Sequence, residues 1–526
     1  MTRLIGLLLL VLGILAATGQ MMNLAFPTAR WFFEVSRDLP WLHFSRAPGA
    51  EPILWFGWLS AVLLILGGLW ILARSFFSGP PNPITQRKVR RFREIRRGYG
   101  SLIILCGLAS LAMLDQALVG KRALAVNYQG KWHYPAFLPT DLKNKDFGIT
   151  DETADAPADY RKLKRAWKGS KENRVILPLV PYDPTGDTLP PRSRQLLLRE
   201  GLHTEDGTRK PYFGLVAKYH NVAESRMHLR YTMRKGVLSG PADGWDAKGT
   251  PVYTAEYKDG KLVSDRYNGV GSKEDFLALP SSELRAVKYH PSPPVPEVGN
   301  WLGTTSEGYD VLAYLYGGLQ VNFKAALIYV PTVYLIGITI GLLMGYFGGW
   351  FDLIAQRLIE IFSNMPFLFI VIICSAMVPE RFKGLPVILS ILVLFGWMGI
   401  TYLMRTAAYR DKERDYISAA RVLGASTPRI LFRHLLPNTV AILVTVVPFT
   451  LSGLVFALTS LDYLGFGLPP EYATWGRLLN DGLSNLSAPW LVTSTFIVLV
   501  SMLVLFTFVG EAVREAFDPK KFTYYR

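Results

Sequence analysis

Histidine, cysteine and a Gly-Lys pair are the residues here that could carry metal, nucleophilic or phosphate chemistry, and their spacing supports none of it. The seven histidines are scattered along the 526 residues, and only His434 falls in an inner-side loop. Cys106 and Cys374 both sit in apolar runs, where a thiol is ordinarily a small buried hydrophobe, and no Cys/His pattern has metal-ligand spacing. Gly120-Lys121 lacks the Gly-x4-Gly-Lys-Ser/Thr context whose backbone N–H groups cradle phosphates. Neither a Gly-x-Ser-x-Gly elbow nor a His-Glu-x-x-His pair occurs. The expectation is a non-enzyme with no catalytic, cofactor-binding or metal site.

Ionisable residues at membrane depth are the next candidates, because their burial is costly and they then mark ion or proton paths. Arg357 and Glu360 fall in the first turns of one apolar run, Arg405 and Glu511 at the ends of others, and Asp115 near an outer end. The centres of the spans after Asp310, the first of them drawn from Ala325, read as free of charge. A driving force supplied by a separate subunit is therefore expected over an ion-coupled mechanism.

The stretch from Asp415 to Pro437 holds the most specific local signals. Asp415 reads as the N-cap of a helix from Tyr416, its carboxylate accepting from first-turn N–H groups. Gly424 is a suitable stop, since glycine takes a positive φ without penalty. Thr427 reads as the cap of a second helix with Pro428 at its first position, where no N–H is needed, and Pro437 as the point of re-entry into the membrane. Such a helix–Gly–helix elbow suits a lever that transmits motion.

The elements that must position this elbow are long apolar spans. The chain is 50% hydrophobic and only 19% charged, and the two kinds of residue are segregated. The runs 4–17, 52–72, 101–114, 325–346, 367–378, 385–404, 439–461 and 490–510 approach or exceed the roughly 20 residues that cross a bilayer. Residues 1–19 also resemble a secretory signal beginning at Arg3, but no clean cleavage context stands out and a retained helix is favoured. The net charge of +16 does not point to nucleic acid, because its placement follows topology. Arg87, Lys88, Arg90, Arg91, Arg93, Arg96 and Arg97 crowd before the third span, and Arg410, Lys412, Arg414, Arg421, Arg429 and Arg433 lie in the elbow loop. Lys/Arg excess in short loops marks the cytoplasmic side, and an eight-span arrangement with both termini inside satisfies both clusters. The block between Gly120 and about Glu307 then faces outside. It carries hairpin signals at Asp259-Gly260 and Gln129-Gly130, with Pro-rich punctuation at 189–191 and 291–296, and reads as a mostly irregular domain with some β structure.

With those residues in place, the chain resembles the permease subunits of ABC importers. Ser418-Ala419-Ala420, Gly424 and Leu436-Pro437 resemble the "EAA" loop that docks on the cytoplasmic ATPase. Asn300-Trp301-Leu302-Gly303-Thr304 with Asp310 resembles the motif before the second core helix of dipeptide/oligopeptide permeases. Leu461 to Gly467 with Trp475-Gly476 resembles their penultimate external segment. Ala488 to Trp490, Gly510-Glu511, Arg514 and Phe517-Asp518-Pro519 resemble the two ends of their terminal helix. Tyr128 to Trp132 with Tyr134-Pro135 is similar to the Yej-type branch, associated with oligopeptides and the peptide antibiotic microcin C. The family's Glu is here Ser418, at a position where Glu could close a capping box, and His434 stands where an apolar residue is commoner.

The resemblance implies an all-α polytopic protein with six core helices plus two extra N-terminal ones, and a mixed α/β extracytoplasmic insertion between helices 3 and 4. The expected parts are 1–86 (extension), 87–119 (basic elbow and first core helix), 120–310 (insertion) and 311–526 (five-helix core with coupling loop 406–436). It implies a multi-pass bacterial inner-membrane permease for peptides. Its partners would be a second permease, two ATPases that use the ATP, and a periplasmic binding protein. The implied coupling residues are Asp415, Ser418, Ala419, Ala420, Gly424, Thr427, Pro428, His434 and Pro437. The rival expectations are a secondary transporter, and a membrane-anchored sensor or enzyme working through 120–307.

Overall fold

Long apolar runs fold as helices in a bilayer because a helix satisfies its own backbone N–H and C=O groups without water. The computed structural model describes residues 2–38, 52–77, 83–138, 141–150, 154–168, 172–189, 193–199, 201–205, 211–212, 214–220, 227–278, 285–287, 291–292, 294, 296, 299–486 and 488–517. The motif residues Asp518 and Pro519, the prolines at 190, 191 and 293, and Val295 lie outside the described residues. The chain divides into two compact units, one of 1–187, 297–300 and 311–526, the other of 188–296 and 301–310. The polar block expected as a single insertion is thus shared between them.

The first unit begins with α1 (Thr2–Met21), α2 (Trp31–Asp38), α3 (Trp55–Phe77), α4 (Pro83–Glu94) and α5 (Arg96–Ala112). A three-stranded antiparallel sheet follows, ordered β2-β1-β3 from β1 (Ala125–Tyr128), β2 (Lys131–His133) and β3 (Arg174–Ile176), with α6 (Tyr160–Ala166) beside it. Gln129 and Gly130 take φ of 50° and 81°, the left-handed pair that the β1–β2 turn was expected to need.

In the second unit the strands are β4 (Ser193–Arg199), β5 (Leu202–Glu205), β6 (Gly214–Tyr219), β7 (Met227–Arg234), β8 (Val237–Trp245), β9 (Pro251–Lys258), β10 (Lys261–Tyr267) and β11 (Arg285–Val287), with α7 (Lys273–Ala278). They form an antiparallel sheet ordered β10-β9-β8-β7-β6-β11-β4-β5. Asp259-Gly260 makes the β9–β10 turn, pairing Lys258 with Lys261. This is far more regular than the irregular domain expected. Register shifts at Tyr231/Met233 and Gly244/Trp245 break the period-2 pattern, so the strands do not read as simple alternation.

The first unit resumes with α8 (Val311–Phe347), α9 (Gly349–Ser363), α10 (Phe367–Met377), α11 (Leu385–Gly396), α12 (Met398–Asp411), α13 (Asp415–Val422), α14 (Thr427–Arg429), α15 (Leu436–Tyr463), α16 (Trp475–Ser484) and α17 (Pro489–Phe517). Among the described residues, five stretches can cross a membrane by length and composition: α3, α8, α11–α12, α14–α15 and α17. The bent pairs α4–α5 (92°) and α9–α10 (83°) raise the total to seven. α1 adds a shorter apolar stretch, Gly6–Met21, among the described residues. Pro366 caps α10 at the second bend and Pro386 sits in the first turn of α11, whereas Pro331 and Pro448 lie inside continuous helices.

Small residues set a close helix contact between α8 and α12. Gly337, Gly341 and Gly345 form one stripe of α8 against α12, where a Cβ on Gly341 would come 2.5 Å from the Thr401 carbonyl oxygen. Only glycine permits that approach, and Thr401 Oγ1 donates across it to the Gly337 carbonyl at 3.2 Å. The glycines of α8 therefore pack rather than hinge.

Candidate functional site

A turn beginning at Asp411 launches the elbow loop. Its carboxylate, 2% exposed, accepts from Arg410 Nε at 3.0 Å and pairs with Arg414 Nε at 3.1 Å. The Arg414 N–H donates to the Asp411 carbonyl, and Arg414 takes the extended φ/ψ of a cap. The N-cap is therefore Arg414, not Asp415. Asp415 is instead the first helical residue, where its negative charge still complements the helix dipole. Ser418 becomes the fourth helical position, so a Glu there would lie one residue beyond the capping-box position.

α13 has two unlike faces. Ile417 and Ala420 are buried, Ile417 in the same core as Met404, Ala408, Ile430, Leu431 and Leu435. Ser418 and Ala419 are exposed, and at the tip Val422 and Leu423 are 88% and 86% exposed. Gly424 ends the helix at φ 74°. Its N–H donates to the Arg421 carbonyl and that of Ala425 to the Ala420 carbonyl, the paired bonds of a Schellman end.

The second arm also starts one residue early, with Ser426 in the cap conformation and Thr427-Pro428 opening the helix. It runs through a π-helical turn, Ile430–Leu435, directly into α15. Pro437 thus lies inside a continuous helix. Its ring disfavours an ordinary α-turn, having no N–H and crowding the carbonyl four residues back. The widened turn relieves this, and Asn438 Nδ2 donates to the His434 carbonyl at 3.0 Å and to Tyr416 Oη at 3.0 Å. The two arms are in this way bonded to each other.

The ties from the elbow to the other helices carry no signal in the sequence. Arg405 of α12 grips Asp352 of α9 with Nε at 2.5 Å and a second nitrogen at 2.6 Å, and Tyr409 Oη donates to the same carboxylate at 2.8 Å. Such bidentate pairs fix geometry as well as charge. The Arg421 guanidinium lies 5.1 Å from the Tyr346 ring of α8. The pairing joins residues 53 apart, a separation at which no periodic signal exists.

The remaining expected residues occupy other places. Asn300 is buried in the first unit, while Trp301 to Asp310 belong to the second. There Thr304 Oγ1 accepts from the Ser292 N–H at 2.7 Å, Gly303 has φ 81° and Asp310 is fully buried. Trp475 is buried with its Nε1 donating to the Leu315 carbonyl at 2.9 Å, and the Asp462 carboxylate accepts from the Leu468 N–H at 2.7 Å. Glu511 pairs with Arg97 at 3.6 Å. Asp115 is buried rather than merely near a helix end. Its carboxylate accepts from the Thr28 N–H at 2.6 Å, from the Thr28 hydroxyl and from Gln320 Nε2. α8 begins well before Ala325 and so includes Lys324, which pairs with Glu34 of α2 at 3.7 Å. The charge-free centre expected after Asp310 holds only for the shorter span drawn from Ala325.

Comparison with known proteins gives a consistent result. The family described as "Binding-protein-dependent transport system inner membrane component" matches residues 337–523. The "Inner membrane ABC transporter permease protein YejE" of Escherichia coli is 32% identical over 440 residues, 84% of this chain and 98% of the relative. The "Peptidoglycan transport system permease protein YejE" of Agrobacterium fabrum is 45% identical over 222 residues, 42% of this chain, and the match spans only 58% of that relative. The "Dipeptide transport system permease protein DppC" of Bacillus subtilis is 32% identical over 228 residues, 43% of this chain and 70% of the relative.

Proposed function

Because the chain belongs to the family of binding-protein-dependent transport-system inner-membrane components, we propose that it is one permease subunit of an ATP-driven importer of peptides. With a homologous second permease it would form the pathway, two cytoplasmic ATPase subunits would supply the energy, and a periplasmic binding protein would deliver the substrate. The peptide assignment rests on the relatives' names, since a dipeptide and the stem of a peptidoglycan fragment share the peptide unit. All eight spans, with α1 included, would place both termini inside. They would also set basic α4 and the elbow on one side, and the insertion 120–310 outside the core 311–526.

The observation that carries the coupling role is the division of α13. A helix held in the core by Ile417 and Ala420 offers bare Val422 and Leu423 at its tip, and apolar side chains so presented on a clamped element fit a protein partner. Ser418 to Gly424 would seat in the ATPase, and Thr427-Pro428, His434 and Pro437 would carry its movement into α15. The exposed apolar rows of α9 and α10, including Leu353, Leu358, Ile361 and Phe369, suit lipid or the second permease.

The energy source is the direct test. Uptake of labelled tri-alanine into cells carrying the complete importer should follow ATP and persist when a protonophore collapses the proton gradient at constant ATP. Uptake that vanishes with the gradient would establish a secondary transporter instead.

A further inference from the structure

The first unit holds a cavity of about 400 Å³ beside its small sheet, walled by Lys121-Arg122, the segment at Asp141 and the turn into α6. Its volume lies within the roughly 300–1,000 Å³ of small-molecule sites. Both signs of charge line it, and most of those charges are committed. Arg161 pairs with Asp187 at 2.8 Å and lies over the Tyr182 ring. Asp159 caps α6 by accepting from the N–H groups of Arg161 and Lys162. Asp155 takes Lys145 at 2.9 Å and Lys143 at 3.7 Å, and the Lys145 ammonium holds that carboxyl below the usual carboxylate range. Lys121 reaches the Gly186 carbonyl at 3.4 Å.

Two charged groups remain. Among the described residues neither Arg122 nor Asp141 has a hydrogen-bond or ion-pair partner, and both face the cavity. Arg122 is half-buried near Tyr160, whose own burial pushes its phenol up to about 12 and keeps it neutral. An unpaired guanidinium and an unpaired carboxylate that both line the cavity match a ligand that carries one group of each opposite charge.

We propose that this cavity receives a short peptide by its free ends, Arg122 donating to the C-terminal carboxylate and Asp141 accepting from the N-terminal ammonium. The guanidinium presents two parallel N–H donors to a carboxylate, and the ammonium supplies donors that Asp141 can accept. This assignment rests on the peptide reading of the importer and adds to it a site on the permease subunit itself, specific for unblocked termini.

Calorimetric titration of the full chain in nanodiscs tests it, using tri-alanine, N-acetyl-tri-alanine and tri-alanine amide as probes. In the unmodified protein each cap should weaken binding about tenfold or more, the loss of one charge-assisted contact. Arg122→Gln should lose the penalty for amidation and keep the one for acetylation; Asp141→Asn should do the reverse. Undetectable tri-alanine binding, or cap penalties unchanged in both variants, would overturn the proposal. A parallel uptake assay separates the two readings. ATP-driven tri-alanine uptake with no dependence of binding on Arg122 or Asp141 removes the cavity and leaves the importer. Cap-sensitive binding without any peptide uptake retains the cavity and removes the import role.

Discussion

Replacing Val422 and Leu423 together by aspartate should abolish peptide uptake while the subunit inserts at its normal level. Both side chains are almost fully exposed, so the isolated fold loses little, as for surface substitutions generally. In an assembled importer the same positions would lie against the ATPase, and an unpaired charge forced into a packed interface costs about 3–5 kcal/mol. Two such charges weaken docking by well over a hundredfold. The readout is ATP hydrolysis in proteoliposomes stimulated by the binding protein, which should fall to its basal rate. Deleting Ser418 to Gly424 should have the same result. Ser418→Glu should be nearly neutral for stability, because the fourth helical position does not close a capping box. Full stimulation in the aspartate variant would remove α13 from the coupling path.

Asp115→Ala should loosen the N-terminal helices from the core. The carboxylate is 5% exposed and holds the Thr28 N–H and hydroxyl together with Gln320 of α8. Gln320 keeps the Ala112 carbonyl as a second acceptor at 3.0 Å, but the buried Thr28 groups lose a charged partner, a cost of about 2–5 kcal/mol. Asp115 also sits at φ 40°, which aspartate tolerates better than alanine does. Thermal unfolding of the detergent-solubilised chain should show an earlier transition, and proteolysis should release the segment carrying α1 to α3. Asp115→Asn, which keeps an acceptor oxygen, should be milder. An unchanged transition and cleavage pattern in Asp115→Ala would mean that this junction does not hold the extension.

Local chemistry was legible in the sequence where one or two residues decide the geometry. Asp259-Gly260 and Gln129-Gly130 announced hairpins because few residues take a left-handed φ, and Gly424 announced a helix end for the same reason. The caps were misplaced by one residue at Asp415 and Thr427. The extended cap conformation is set by the preceding turn, at Asp411 in the first case, and not by the capping side chain alone. Long-range pairing was not legible. Asp352 with Arg405, Glu34 with Lys324 and Thr28 with Asp115 join residues that only the folded chain brings together. Lys324 was further hidden because the apolar run begins after it, whereas the helix does not. The second unit's sheet was obscured by bulges that shift its alternation out of phase.

In the assembled importer the tip of α13 should be buried by an ATPase. A Leu423→Cys variant, with Cys106 and Cys374 replaced by alanine, can be exposed to a membrane-impermeant maleimide in inside-out vesicles, with and without the ATPase subunits. Labelling should be fast in the subunit alone and strongly suppressed in the assembled importer. Equal labelling rates in both states would contradict it.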